Sequence, residues 1–151
     1  MARSMPNLRL LFLLRDPVDR LWSASKYILR RRLADGRANR SDVIKFFTDR
    51  MRDPSILGFR HSDYGNSLIE IEKAGLSERL NVVFQENLGM PSENDALAQA
   101  FGFDFDLNHS ARANVHGEHV HGDDAVFDEA VEAFGRTYQI VRDRFGARVP
   151  A

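Results

Sequence analysis

The strongest constraint on this chain lies near its start. A run of apolar residues, Leu8-Arg-Leu-Leu-Phe-Leu-Leu14, is followed at once by Arg15-Asp16-Pro17. The run is too short to cross a bilayer, which takes roughly 20 residues. Arg9 interrupts it, Arg15 ends it and no small-residue cleavage site follows, so it does not read as a signal peptide. A short apolar run between turn residues reads as a buried strand. Asp16 then stands where a helix N-cap belongs, and Pro17 where the first helical residue belongs, because its missing N–H costs nothing there. A buried strand that turns straight into a helix is the opening of a parallel-sheet unit, since parallel strands need a crossover.

The remaining pattern continues that alternation. Leu21, Trp22, Tyr27, Ile28 and Leu29 carry a helix from Pro17 to about Leu33, ended by Gly36. Ser41-Asp42 caps a second helix, Val43 to about Met51, and a loop through Asp53-Pro54 and Gly58 follows. A third helix is expected over Ser62–Lys73, stopping at Gly75, and then a second buried strand, Leu80-Asn-Val-Val-Phe84. Ala96 to Phe101 reads as a helix ending at Gly102, and residues 104–122 as a polar loop. Asp123-Asp124 opens a last amphipathic helix whose stripe runs from Val126 to Phe145, closed by Gly146. There are no repeats, low-complexity tracts or linkers, so a single domain over 1–151 is expected.

Composition narrows the function classes. The 151 residues suit one domain and include no Cys, which excludes disulfide scaffolds, thiolate zinc sites and cysteine nucleophiles. Zero cysteine fits a reducing, cytoplasmic setting. The net charge of −1 hides a split: residues 1–60 hold 14 Lys+Arg against 6 Asp+Glu, a balance of +8, and residues 61–151 hold 7 against 16, a balance of −9. The basic half suits an anionic ligand near the N-terminal region.

The residues best placed to take that ligand are Arg15, Arg20 and Ser23. In open α/β sheets ligands bind beyond the carboxyl ends of strands, which is where Arg15 falls. The helix N-terminus that follows is expected to offer free backbone N–H groups and a partial positive charge. A guanidinium fork plus a hydroxyl is a reasonable phosphate clamp.

Leu14-Arg15-Asp16-Pro17-Val18-Asp19-Arg20-Leu21-Trp22-Ser23 resembles the 3′-phosphate-binding motif of the sulfotransferase family, enzymes that use 3′-phosphoadenosine 5′-phosphosulfate. The family pattern is an apolar strand, then Arg, Asn or Asp, Pro, two residues, Arg, two residues and Ser. The resemblance continues in order. His61-Ser-Asp-Tyr64 through Leu68 is similar to the family's Tyr-bearing helix, and Asn81-Val-Val-Phe-Gln-Glu86-Asn-Leu88 to its strand ending in Glu-Asp-Leu. Ala98 to Gly102 and the final helix resemble the elements that follow. By this resemblance Arg15 and Ser23 hold the 3′-phosphate, Arg20 supports them, and Arg112 and Asn114 contact the nucleotide from the loop before the last helix. The implied fold is a P-loop-NTPase-like three-layer α/β domain with a parallel sheet. The implied activity is transfer of a sulfuryl group to a hydroxyl or amine acceptor, such as a glycan or small metabolite.

One departure matters. The family's 5′-phosphosulfate loop lies upstream of the Arg/Ser motif, and here only seven residues precede the strand. Gly117-Glu-His-Val-His-Gly122 has Walker-like spacing but is followed by Asp123-Asp124 where Lys and Ser or Thr belong. The expectation is therefore a domain incomplete at its N-terminus, with its catalytic base unassigned. His109, His116, His119 and His121 form no firm ligand pattern, so no metal is expected. Arg30-Arg31-Arg32, Arg37 and Arg40 have few aromatics among them and read as a solvated helix end, so neither nucleic acid nor membrane is expected as a partner. Two alternatives stand beside the sulfotransferase reading: a catalytically inactive module that binds a partner, or a second copy, through an exposed sheet edge, and a small nucleotide-kinase-like phosphotransferase.

Overall fold

The computed structural model describes residues 7–53, 55–104 and 125–150. The elements in chain order are β1 (Leu10–Leu14), α1 (Pro17–Ala34), α2 (Arg40–Arg52), α3 (Leu57–Ser62), α4 (Tyr64–Lys73), β2 (Leu80–Phe84), α5 (Pro91–Phe101), α6 (Ala125–Ala133) and α7 (Gly135–Phe145). The protein is mixed α/β and mostly helical, with a small two-stranded parallel sheet. The described residues form two compact units. One holds 7–15, 68–104 and 147–150, and the other 16–53, 55–67 and 125–146.

The sheet unit is built on β1 and β2. They pair in parallel from Leu10 with Leu80 to Leu14 with Phe84, so the two strands end level. The Asn81 side-chain amide donates to the Leu10 carbonyl at 3.3 Å, adding a side-chain tie to the ladder. α5 packs on β2, and Leu14, Val82, Val83, Phe84 and Leu97 are buried. Arg148 fastens the chain's end to this unit, donating to the Val82 carbonyl at 2.7 Å. The expectation of a buried strand over Leu8–Leu14 is met in part: β1 starts at Leu10 and is unevenly buried. Side chains alternate along a strand, and Leu11 and Leu13, on the face opposite Leu14, remain 48% and 43% exposed.

The helical unit has an aromatic core. In α1, Leu21, Trp22, Ser25 and Leu29 fall on one face at helical spacing and are all buried. Trp22 meets Phe47 of α2 and Phe127 of α6 edge-on, at centroid distances of 5.6 and 5.2 Å. Phe59 of α3 stacks on Phe134 at 4.7 Å. Each such ring contributes about 1.5–3 kcal/mol of burial, and edge-on pairing adds about 0.5–1.5 kcal/mol.

Several boundaries differ from the sequence expectation. The N-cap of α2 is Asn39, not Ser41-Asp42. Asn39 Oδ1 accepts from the Asp42 N–H at 3.2 Å while Asp42 Oδ2 accepts from the Asn39 N–H at 2.8 Å, a reciprocal capping box. The helix expected over Ser62–Lys73 is α4, which starts at Tyr64, and a separate short helix, α3, ends at Ser62 before it. Asp63 leaves helical geometry between them, and its carboxylate caps α4 at the Asn66 N–H. α3 itself occupies part of the expected loop. α5 starts at Pro91, five residues before the expected Ala96. The last helix breaks into α6 and α7 at Phe134, which is buried against Phe59 just before Gly135. An apolar stripe that continues through such a break hides it from the sequence pattern.

Candidate functional site

Arg15 follows β1 directly, at the carboxyl end of the sheet unit, and is partly buried. Arg20 and Ser23 lie one turn apart on α1 in the helical unit, Arg20 exposed and Ser23 partly buried. Arg112, Asn114 and the histidines at 109, 116, 119 and 121 lie outside the described residues, as do Asp123 and Asp124. Among the described residues, no three His, Cys, Asp or Glu side chains come together in a way that could hold a metal ion. No helix of the described residues is long and apolar enough to cross a membrane.

The start of α1 is bound up by its own cap. Asp16 Oδ1 accepts from the Asp19 N–H at 2.9 Å, and the Asp16 carbonyl accepts from the Arg20 N–H at 2.9 Å. Pro17 has no N–H to give. The Asp19 and Arg20 donors of the first turn are therefore engaged, and a carboxylate sits over it. The expectation that this helix end offers free N–H groups to an anion is corrected at these two positions, where Asp16 has taken them.

Tyr138 is the residue that sequence reasoning missed. It was assigned to the apolar stripe of the last helix, and its ring does pack against the helical core. Its hydroxyl, however, donates to Asp16 Oδ2 at 2.6 Å, across 122 residues of sequence. Burial, then the hydrogen bond to Asp16 and that residue's charge, push the hydroxyl well above the ordinary tyrosine range. It is therefore a proton donor, not a phenolate, at neutral pH. The preceding residue does the same for another helix. Thr137 Oγ1 donates to Asp63 Oδ1 at 2.6 Å, and Asp63 caps α4. Adjacent hydroxyls on α7 thus hold the capping carboxylates of α1 and α4. The one sequence signal for this was a Thr-Tyr pair inside an apolar stripe, which is too common to single out.

Arg20 stands over the Tyr64 ring of α4, its guanidinium carbon 5.8 Å from the centroid. That places it between the starts of α1 and α4. The arginine run takes a different position. Arg31 and Arg32 sit in the last turn of α1, where cations favour the helix dipole. Arg30 stacks on exposed Tyr27 at 4.2 Å, and Arg37 pairs with Asp35. An open cavity of about 220 Å³ beside this run is lined by Leu29, Arg32, Arg37, Lys45 and Phe46 among others, and contains none of the expected site residues.

In comparisons with known proteins, no family model, curated protein or solved structure matches the chain.

Proposed function

We propose that the chain is a sulfotransferase-like domain that binds the 3′-phosphate of 3′-phosphoadenosine 5′-phosphosulfate through Arg15 and Ser23, with Arg20 supporting. The observation that carries this reading is the junction itself. The motif Arg15-Asp16-Pro17, Arg20, Ser23 begins right after a strand in parallel pairing and runs into a capped helix. That is the local architecture in which open α/β sheets bind nucleotides. The second resembled strand ends level with the first, so Gln85-Glu86 and Arg15 leave the sheet at the same end. On this reading the surrounding fold is a P-loop-like three-layer domain, and the parent reaction is in-line sulfuryl transfer to a hydroxyl or amine. With the Asp19 and Arg20 N–H groups taken by Asp16, the phosphate is gripped mainly by guanidinium and hydroxyl donors.

Titration calorimetry with adenosine 3′,5′-bisphosphate tests the proposal. Hydrogen bonds to a charged phosphate are worth about 1.5–3 kcal/mol each, so Arg15→Ala and Ser23→Ala should each weaken binding by about 10- to 150-fold. Absence of binding by the folded wild-type chain would refute it. A partner-binding module is the second reading, favoured by the exposed Leu11 and Leu13. Light scattering decides that one: a monomer at all concentrations, unchanged by Leu11→Ser and Leu13→Ser, counts against it.

A further inference from the structure

We infer that Tyr138 is a positioning residue for the phosphate-binding turn, acting through Asp16; this rests on the 3′-phosphate reading above. The geometry is a short hydrogen-bond circuit at the start of α1. The Tyr138 hydroxyl donates to Asp16 Oδ2 at 2.6 Å, and Asp16 Oδ1 accepts from the Asp19 N–H at 2.9 Å. The capping residue, and through it the Asp19 N–H, is thereby tied to one side chain of α7. Arg15 is joined to Asp16 by one peptide bond, and Arg20 and Ser23 follow within two helical turns. Fixing Asp16 therefore fixes the start of the helix on which Arg20 and Ser23 ride.

The circuit also settles what the Asp16 charge does. A carboxylate beside a phosphate site repels the ligand and competes for its arginines. Here one oxygen is occupied by a backbone donor and the other by a hydroxyl drawn in from α7. Because Tyr138 is partly buried and its hydroxyl resists ionisation, the donor is present throughout the neutral range. Thr137 supplies the parallel anchor to Asp63, and α4 begins at the next residue with Tyr64, the ring beneath Arg20. It thus serves as an internal control: the same chemistry on the same helix, aimed at a cap outside the motif.

The experiment is a calorimetric comparison of adenosine 3′,5′-bisphosphate with adenosine 5′-monophosphate. Tyr138→Phe should lower affinity for the bisphosphate about tenfold, the size expected for one lost hydrogen bond to a charged group, and leave the monophosphate unchanged. Thr137→Val should leave the ratio of the two affinities within about twofold of wild type. Asp16→Ser keeps an N-cap acceptor for Asp19 but loses the second oxygen, and should reproduce the Tyr138→Phe loss if that variant folds poorly. A wild-type ratio in both Tyr138→Phe and Asp16→Ser overturns the inference and leaves the phosphate reading intact. Equal affinity of the wild-type chain for the two nucleotides overturns the phosphate reading, and this inference with it.

Discussion

Gly65 is the residue whose replacement best tests how α7 seats against the start of α4. A methyl group on it would lie 3.0 Å from Ile140 Cδ1 and 3.2 Å from both Thr137 Cα and Thr137 Oγ1. Ile140 can turn its terminal carbon aside. The Thr137 contacts cannot be relieved so easily, because one is α7 backbone and the other is the oxygen bonded to Asp63. Overpacking of this kind costs about 1–3 kcal/mol. Against it stands the gain of Ala over Gly in a helix, about 0.5–1 kcal/mol. The steric term wins, by about 1 kcal/mol, and Gly65→Ala should lower Tm by about 2–4 °C for a chain of this size. Gly135 provides the contrast. It opens α7, and a methyl there would meet nothing within 4 Å. Gly135→Ala should raise stability by about 0.4–1 kcal/mol, through reduced freedom of the unfolded chain. Adding Ile140→Val to Gly65→Ala removes the 3.0 Å contact but not the Thr137 ones, so it should recover only part of the loss. Thermal unfolding followed by circular dichroism reads all three. If Gly65→Ala is stabilised as much as Gly135→Ala, α7 does not pack on α4 as described.

Further outcomes are expected elsewhere. Phe47→Ala empties a fully buried position between Trp22 and Phe127 and should cost about 3–5 kcal/mol; Trp22 is the only tryptophan, so its fluorescence reports the change and an unshifted spectrum would contradict the packing. Because the Tyr138 hydroxyl titrates above its ordinary value of 10.0, the stability it contributes is complete below that pH and falls as pH rises beyond it. The difference in urea midpoint between wild type and Tyr138→Phe should therefore hold steady at neutral pH and shrink above about pH 10. Arg52 forms a two-pronged ion pair with Glu129, at 2.9 and 2.8 Å, and holds that carboxyl below its ordinary 4.5. Its contribution is present above that value and is lost as pH falls below it, so Arg52→Met should differ from wild type only slightly at pH 7 and not at all in acid, because both partners are solvent-exposed.

How much could be read beforehand depended on the range of the interaction involved. β2 was located at Leu80–Phe84 and α1 at its first residue, Pro17, because an apolar run with turn residues at its ends, and an Asp-Pro start, act within a few residues. The α2 cap was misplaced because Asn39, Ser41 and Asp42 are all good capping residues, and only the pairing of Asn39 with Asp42 chooses among them. The break at Phe134 was invisible because a helical stripe runs through it, and α3 was missed because Asp53-Pro54 before it and Gly58 within it read as a loop. The exposure of Leu11 and Leu13 could not be seen either, since an apolar strand says what it can bury and not what lies against it.

The candidate site divides in the same way. The sequence alone determined that a strand would turn into a helix through Arg15-Asp16-Pro17, with Arg20 and Ser23 on the turns that follow, because each of those features is local and covalently ordered. It also suggested an open helix end, but the cap itself takes the Asp19 and Arg20 donors. What the tertiary structure alone decided is how that cap is held: the second oxygen of Asp16 accepts from the Tyr138 hydroxyl on α7, across 122 residues of sequence. A hydrogen bond of that span leaves no periodic trace in the chain that forms it.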